Sequence, residues 1–387
     1  LRHRGPDDEG LEVLPAGDTP HGLGLGVRRL AILDLSPAGR QPMRDPVTGN
    51  WIVHNGEVYN FRELRGELEA AGHQFHSHSD TEVLLHSYAA WGLNCVTRWR
   101  GMFATAIWDA HLRRLVLFRD RLGIKPLYYC RDGDRFAFAS EVRALVRGGW
   151  AAPRLDLTAL DSFLSCGAVQ EPLTIIAGVQ ALPPGHRLVW VEGRPEIVSY
   201  WQPRAQPEAP TSAAAALPEL LAEAARLHLV SDVPVGVFLS GGIDSSSVLT
   251  LLASAGPVTL QTFTVVFPEG SFGDPAWARR LAQDFLTEHH ELFLEEAELL
   301  QQLPGALRAM DQPTADGINT YLVSGAARQA GLKVALSGLG GDELFGGYST
   351  FRRAPQLARL QSLCAHLPRV GRRALASLVT ALPGAAE

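Results

Sequence analysis

The segment Val237-Phe238-Leu239-Ser240-Gly241-Gly242-Ile243-Asp244-Ser245-Ser246 decides the fold of the second half of this chain. An apolar strand pattern runs into Ser-Gly-Gly and then straight into a helix start. The glycines allow backbone angles closed to other residues and let a ligand come close. N–H groups of the loop and of the first helical turn then converge where the helix dipole favours an anion. Ser240, Ser245 and Ser246 add hydroxyl donors. Asp244 puts a carboxylate among them, which is costly beside phosphate unless Mg²⁺ lies between the two. A lone Ser-Gly-Gly reads as a capped strand-to-helix turn; the whole strand–SGGxDS–helix unit supplies the context of an anion site. No GxxxxGK[ST] occurs, so this is not a Walker A loop.

Outward from this loop, strands and helices alternate. Helices are expected over Ala213–Leu229, Asp244–Ala253, Pro275–Leu286 and Asn319–Ala330, and strands over Val233–Leu239, Leu260–Phe267 and Lys333–Leu336. That alternation implies a parallel sheet. The third strand enters a second glycine-rich loop, Val334–Tyr348, with Asp342 and Glu343 at a helix start. Two such loops at strand carboxyl ends suit a nucleotide crevice. Pro355–Leu382 reads as helix without an evident catalytic residue. Upstream, Gln202–Ser212 is rich in Pro and Ala and reads as a linker. The expected division is 1–203, a linker at 204–212, and 213–387. The first part is strand-rich (Trp51–His54, Leu115–Arg119, Phe136–Ala139, Arg187–Val191). Its helices are expected over Phe61–Ala71 and Thr81–Trp91, the latter capped by Ser79 or Asp80.

At 387 residues, two or three domains are expected, and 46% hydrophobic with 20% charged residues is ordinary globular composition. No apolar run is long enough to span a membrane. A net charge of −6 argues against a broad nucleic-acid surface. Cys95, Cys130, Cys166 and Cys364 lack CxxC spacing, so neither a disulfide framework nor a zinc site is indicated, and Cys95 and Cys166 read as core. No secretory pattern is present, which makes the cytoplasm the default expectation.

These segments, with four motifs of the first half, resemble the glutamine-dependent asparagine synthetases over nearly the whole chain. The carriers are SGGIDSS (Ser240–Ser246), SGLGGDELFGGY (Ser337–Tyr348), Arg4-Gly5-Pro6-Asp7, Arg29-Leu30-Ala31-Ile32, Asn55-Gly56-Glu57-Val58-Tyr59-Asn60 and Ser79-Asp80-Thr81-Glu82. SGGxDS is shared with a wider ATP-pyrophosphatase group; the combination is specific. The resemblance implies an α/β protein of two domains. The first is an N-terminal-nucleophile αββα sandwich lacking its first strand, the second a doubly wound parallel-sheet ATP-pyrophosphatase domain. The implied reaction is adenylation of a carboxylate by ATP, aspartate first, followed by displacement of AMP by ammonia from glutamine. By resemblance, Ser240, Gly241, Gly242, Asp244, Ser245 and Ser246 bind pyrophosphate. Leu239, Val265, Ser337 and Gly338 line the adenosine site, and Asp244 and Asp342 hold Mg²⁺.

A free amino acid needs a cation for its carboxylate and anions for its ammonium. Arg29 suits the first by bidentate pairing, and Glu57 and Asp80 suit the second. Asn55, through its side chain, and the Gly56 N–H form an oxyanion hole; Ile32 belongs to the same glutamine-binding set. The family assigns these roles. Taken alone, Asn55-Gly56 also reads as a hairpin turn and Asp80 as a helix cap. Arg119–Tyr128 matches another family segment and reads as structural, at the domain contact or ammonia path. The family's nucleophile is an N-terminal cysteine with its own α-amino group as base. Leu1 lies downstream of that point, so the expectation is an N-terminally truncated chain without glutaminase activity of its own, also cut short at its C-terminus.

Two departures bear on the acceptor. Leu339 stands where characterised members carry Glu, and Met310–Thr320 contains no arginine where one is thought to aid aspartate recognition; Asp311 and Asp316 are poor partners for a carboxylate. The acceptor therefore stays open between aspartate and another carboxylate, amidated or cyclised in specialised metabolism, and a catalytically inactive nucleotide-binding relative is the third reading. No nucleic-acid or membrane partner is expected, and a homodimer is left open.

Overall fold

The computed structural model describes residues 1–15, 22–191, 193–204, 213–254, 260–266 and 274–365. In the first half, period-two alternation builds a sheet covered on both faces. Its strands and helices are β1 (Asp8–Leu14), β2 (Leu23–Arg29), β3 (Met43–Arg44), β4 (Trp51–Val58), α1 (Phe61–Ala70), α2 (Asp80–Trp91), β5 (Gly101–Asp109), β6 (Arg114–Arg119), β7 (Tyr128–Asp132), β8 (Arg135–Ala139), α3 (Val142–Arg147), α4 (Leu157–Cys166), β9 (Val179–Ala181), β10 (His186–Val191) and β11 (Arg194–Ser199). Six strands form an antiparallel sheet in the order β11-β10-β6-β5-β4-β3; β1-β2 and β8-β7-β9 form two smaller sheets.

Ile52, Val58, Phe103, Ile107, Val116 and Phe118 point from the large sheet to α1 and α2, where they meet Leu64, Leu68, Val83 and Leu84. Their neighbours Val53, Ala104, Ala106, Leu115 and Leu117 point the other way, against Leu25 of β2 and Leu127 and Tyr129 at β7. The far side of β7-β8-β9 carries Cys130, Ala137 and Val179, packed on Val142 and Leu145 of α3. The layers therefore run helix, sheet, sheet, helix, the αββα order. Ser79 caps α2 by accepting from Glu82 N.

The second half contains α5 (Ala213–His228), β12 (Val235–Phe238), α6 (Ile243–Ser254), β13 (Gln261–Val266), α7 (Pro275–Asp284), β14 (Glu288–Phe293), α8 (Glu296–Ala309), α9 (Gly317–Gln329), β15 (Val334–Leu336), α10 (Gly341–Phe345) and α11 (Thr350–Ala365). The sheet is wholly parallel, in the order β14-β13-β12-β15. Val237 and Leu239 face Leu249, Leu252, Ala278 and Ala282 of α6 and α7. Phe263 faces Ala327 and Leu332 on the opposite side. Helices on both faces make the sheet doubly wound. Each fully buried Leu or Phe here contributes roughly 1.5–3 kcal/mol.

Several readings change. Asn55-Gly56 is not a hairpin turn: it lies inside β4, opposite Ala104 and Phe103. Cys95 is buried, but Cys166 is exposed, because it ends α4 where Gly167 turns away in the left-handed region. β14 is an edge strand of charged and histidine residues, without the apolar alternation that marks a strand in sequence. The linker reading falls on residues 205–212, and the helix reading beyond Ala365, outside the described residues.

The loop Met310–Asp316, between α8 and α9, docks on the first domain. The Asp311 carboxylate accepts from Val142 N (2.6 Å) and Arg143 N (3.0 Å) and meets Arg143 Nε at 3.1 Å. Gln312 Oε1 accepts from Ile175 N (2.8 Å), and Ala315 N donates to Gly167 O (2.8 Å). Asp311 is thus committed to the domain contact rather than turned to an acceptor. Lys333–Asp7 (2.8 Å), Arg100–Glu223 (2.8 Å) and Asp34 N to Asp232 Oδ2 (2.8 Å) add to the contact.

Candidate active site

In the first domain, Arg29, Ile32, Asn55, Gly56, Glu57 and Asp80 line one cavity of about 390 Å³. Three elements and one loop bring them there. β4 supplies Asn55, Gly56 and Glu57 on consecutive residues. Gly56 sits at φ +146°, and a Cβ on it would overlap the Met102 carbonyl of β5, so only glycine lets the two strands close here. Asp80 is the first residue of α2 and accepts from Val58 N (3.0 Å). Arg29 ends β2; its Nη2 donates to the carbonyls of Leu33 (2.9 Å) and Asp34 (2.7 Å), which fixes the guanidinium at the cavity wall.

Glu57 is buried with one carboxylate oxygen unpartnered. Burial first, then the neighbouring Asp80 carboxylate, pushes its pKa up to about 7. That is the state of an acid waiting for a cation. Asn55 Nδ2 donates to Ser140 Oγ (3.3 Å), leaving its second N–H unused by that bond.

The same cavity is lined by Leu1, Arg4, His54, Lys125 and Ser140, which sequence reasoning did not place there. His54 could have been found, since it precedes Asn55 on β4; its Nδ1 bonds Thr105 Oγ1 (2.8 Å) and its Nε2 lies 3.4 Å from Asp80 Oδ2. Lys125 belongs to the segment read as structural, and the structure divides that segment. Asp120 accepts from the N–H groups of Phe103, Leu122, Ile124 and Lys125, and Arg119 grips Glu171 with both terminal nitrogens (2.8 Å each), which is a structural role. Lys125 instead faces the cavity, its pKa lowered by burial and held up in part by Glu57.

In the second domain, the Ser240–Ser246 loop leaves the carboxyl end of β12. Ser240 N donates to Ser245 Oγ (3.2 Å), the two hydroxyls are 3.0 Å apart, and Ser246 Oγ donates back to Gly242 O (2.7 Å). Gly241 takes φ +79° and lies against the Asp274 backbone. The second loop follows β15, the neighbour of β12 on its other side. A Cβ at Gly338 would stand 2.9 Å from Asp244 Cβ and Ser245 N, and one at Gly341 would overlap the Asp244 carboxylate. The two loops therefore meet at Asp244, between β12 and β15, where the strand order reverses; ligands of such sheets bind there. Val265, on β13, flanks the same strand ends. Leu239 is buried in the core; its N–H donates to Phe263 O (2.8 Å) and its carbonyl accepts from Thr264 Oγ1 (2.5 Å). Ser337 and Leu339 are exposed on the second loop.

Residues 1–201 match the glutamine amidotransferase domain family, and residues 216–384 the asparagine synthase family. The chain belongs to the glutamine-hydrolysing asparagine synthetase family. It is 35% identical over 374 residues to asparagine synthetase [glutamine-hydrolyzing] 3 of Bacillus subtilis, a match covering 92% of this chain and 60% of that protein. It is 35% identical to the same organism's asparagine synthetase 1, covering 95% of this chain and 57% of that one. Amidase chry2 of Gibberella zeae is 33% identical, over 91% of this chain and 54% of the amidase. The chain thus spans somewhat over half the length of these relatives. In this family member no described helix is long and apolar enough to cross a membrane.

Proposed function

We propose that the protein amidates a carboxylate with ATP, using ammonia cut from glutamine, with its domains divided at residues 204–212. The observation that carries this reading is the gathering of Arg29, Ile32, Asn55, Gly56, Glu57 and Asp80 into one cavity. Arg29 takes the glutamine carboxylate, and Glu57 and Asp80 take its ammonium. Asn55 Nδ2 and Gly56 N receive the oxyanion as the side-chain amide is attacked. The attacking group in this reading is a cysteine thiol, and Leu1 itself lines the cavity. Ammonia then passes to the second domain.

There, Ser240, Gly241, Gly242, Ser245 and Ser246 bind the pyrophosphate end of ATP at the start of α6, and Leu239, Val265, Ser337 and Gly338 border the adenosine. Mg²⁺ fits the donor set. The two touching loops bring one carboxylate each, Asp244 and Asp342, and among the described residues no group of three or more His, Cys, Asp or Glu side chains is placed to hold a metal ion by itself. Two carboxylates, with phosphate oxygens and water for the rest, is the usual surrounding of this ion. Bound there, it supplies charge neutralisation of the departing pyrophosphate. These substrates suit a cytoplasmic setting.

Aspartate is the favoured acceptor. Another carboxylate is the second reading, favoured by Leu339, 82% exposed on the second loop where a proton-handling acid is expected. The test is to incubate the native protein with ATP, Mg²⁺ and glutamine, adding aspartate or other carboxylates in turn. Pyrophosphate and AMP released only with aspartate support the first reading. Release with a different acid moves the assignment to that acid, and no release with any acid overturns the synthetase reading.

A further inference from the structure

The segment Ser140-Glu141-Val142-Arg143 touches three things at once. Ser140 Oγ receives Asn55 Nδ2 in the glutamine cavity. Glu141, almost wholly buried, holds His3 Nε2 (2.7 Å) and Arg4 Nη1 (3.5 Å), and Arg4 lines the same cavity. Val142 N and Arg143 N donate to Asp311 of the other domain. Asp316, the last residue of the Asp311 loop, precedes α9, and its charge bears on Tyr348 of the second glycine-rich loop. There Tyr348 donates to Glu343 (2.9 Å), and its pKa is raised first by that bond, then by burial, then by the charges of Glu343, Asp342 and Asp316. A short run of backbone therefore joins the glutamine cavity to the Asp311 loop of the other domain.

We propose that Ser140–Arg143 is a positioning bridge, through which the Asp311 loop of the synthetase domain fixes the orientation of Asn55 in the glutaminase cavity. The inference rests on the role given to Asn55 above. Its physical basis is the weakness of α3 on its own. Six residues are too few for a stable isolated helix. Its N-cap residue, Glu141, makes no side-chain cap bond, because that carboxylate is turned to His3 and Arg4. The missing cap comes from the other domain: Asp311 satisfies the first two N–H groups and sets a negative charge at the helix start. Holding that start holds Ser140, one residue before the cap. Ser140 in turn takes one of the two N–H groups of the Asn55 amide, which stops the amide rotating and leaves the other for an oxyanion. Ser140 and Asp311 are positioning residues: Ser140 acts through the Asn55 amide and Asp311 through the start of α3.

The test uses the native protein with Ser140→Ala, Ser140→Thr, Asp311→Ala and Asp311→Asn, each checked for unchanged ammonia-supported synthesis. Removing an oxyanion donor outright costs on the order of 10²–10³ in rate. Loosening one should cost roughly tenfold in the kcat of glutamine hydrolysis, with KM within about twofold. Ser140→Thr should restore most of the loss, and Asp311→Asn, which keeps an acceptor, should lie between wild type and Asp311→Ala. Hydrogen exchange read on the same proteins gives a second, activity-free measure. Asp311→Ala should speed exchange at Val142 and Arg143 and also at the β4 peptide containing Asn55. Faster exchange confined to Val142 and Arg143 would overturn the bridge. So would Ser140→Ala raising KM without lowering kcat. A wild-type protein that hydrolyses no glutamine would instead defeat the functional reading, while the exchange pattern still decides the bridge.

Discussion

Glu57 shows how far one residue's surroundings set its chemistry. Its neighbours on β4 put it in the cavity, burial deprives it of water, and Asp80 repels its charge, so its pKa rises to about 7. A ligand ammonium favours the ionised form. Binding of an amino acid should therefore tighten as pH rises through 7. With a pKa near 7, the ionised fraction grows about tenfold between pH 6 and pH 8, and the Kd of an unreactive glutamine analogue, measured by calorimetry, should fall by a similar factor. Glu57→Gln should flatten that slope while weakening binding at pH 8. A slope unchanged by the substitution would assign the titration to another group. The identity of Glu57 as a site residue was legible in its motif. Its raised pKa was not, because that comes from Asp80 on a different element and from burial that no local pattern records.

At the scale of elements, the motifs that carry chemistry also carry structure, and sequence reading does not separate the two. In Ser79-Asp80-Thr81-Glu82, Ser79 caps α2 and Asp80 faces the cavity, but Glu82 turns inward and closes the 76–82 turn. Its carboxylate accepts from His76 N (2.9 Å), Ser77 N (2.7 Å) and Ser77 Oγ (2.7 Å). Burial alone would raise its pKa; bonds from His86, Ser77 and the backbone overcome this and hold it at about 2. A depressed folded-state pKa means stability that is complete above the unfolded value near 4.5 and is lost as pH falls toward 2. The shift corresponds to roughly 3 kcal/mol at most. Glu82→Gln should lower Tm at pH 7 yet change it little at pH 2.5, read by circular dichroism. A similar loss at both pH values would attribute the effect to packing. The alternation of β4, β5 and β6 and the strand–loop–helix unit at Ser240 were readable because each repeats a period set by burial. β14, with His289, His290 and flanking glutamates, was not, because an edge strand need not hide its side chains on both faces. Lys125 was missed for a related reason: its segment is mostly Arg119 and Asp120 bracing a turn, and only the folded chain shows one residue of it facing the cavity.

At the scale of the whole molecule, the domain contact is built largely from polar pairs: Asp311 with Val142 and Arg143, Gln312 with Ile175, Lys333 with Asp7, Asp232 with Asp34, and Arg100 with Glu223. Contacts of this type resemble transient interfaces more than a shared core. Partners so far apart in the chain leave no periodic trace, which is why the sequence of Met310–Thr320 is weighed only for its missing arginine and not as a docking loop. The cores on either side are separate, the first built on the six-stranded sheet and the second on β12 and β13. Calorimetry should therefore resolve two unfolding transitions, and acid should drive them apart. Asp7 is the group to follow. Burial works to raise its pKa, but the bonds from Lys333 and the Ala31 N–H and the charges of Lys333 and Arg29 leave it lowered. Its contribution is complete above the ordinary carboxylate value and is lost as pH falls below it toward the lowered folded-state pKa. The pair is partly exposed, so Lys333→Ala should cost no more than about 1 kcal/mol at pH 7. It should also remove part of the acid-driven separation, because in the variant Asp7 no longer has a partner in the other domain to lose. If the two transitions stay merged from pH 7 down to about pH 2.5, below the ordinary carboxylate range, the domains share more of their stability than these polar pairs can supply.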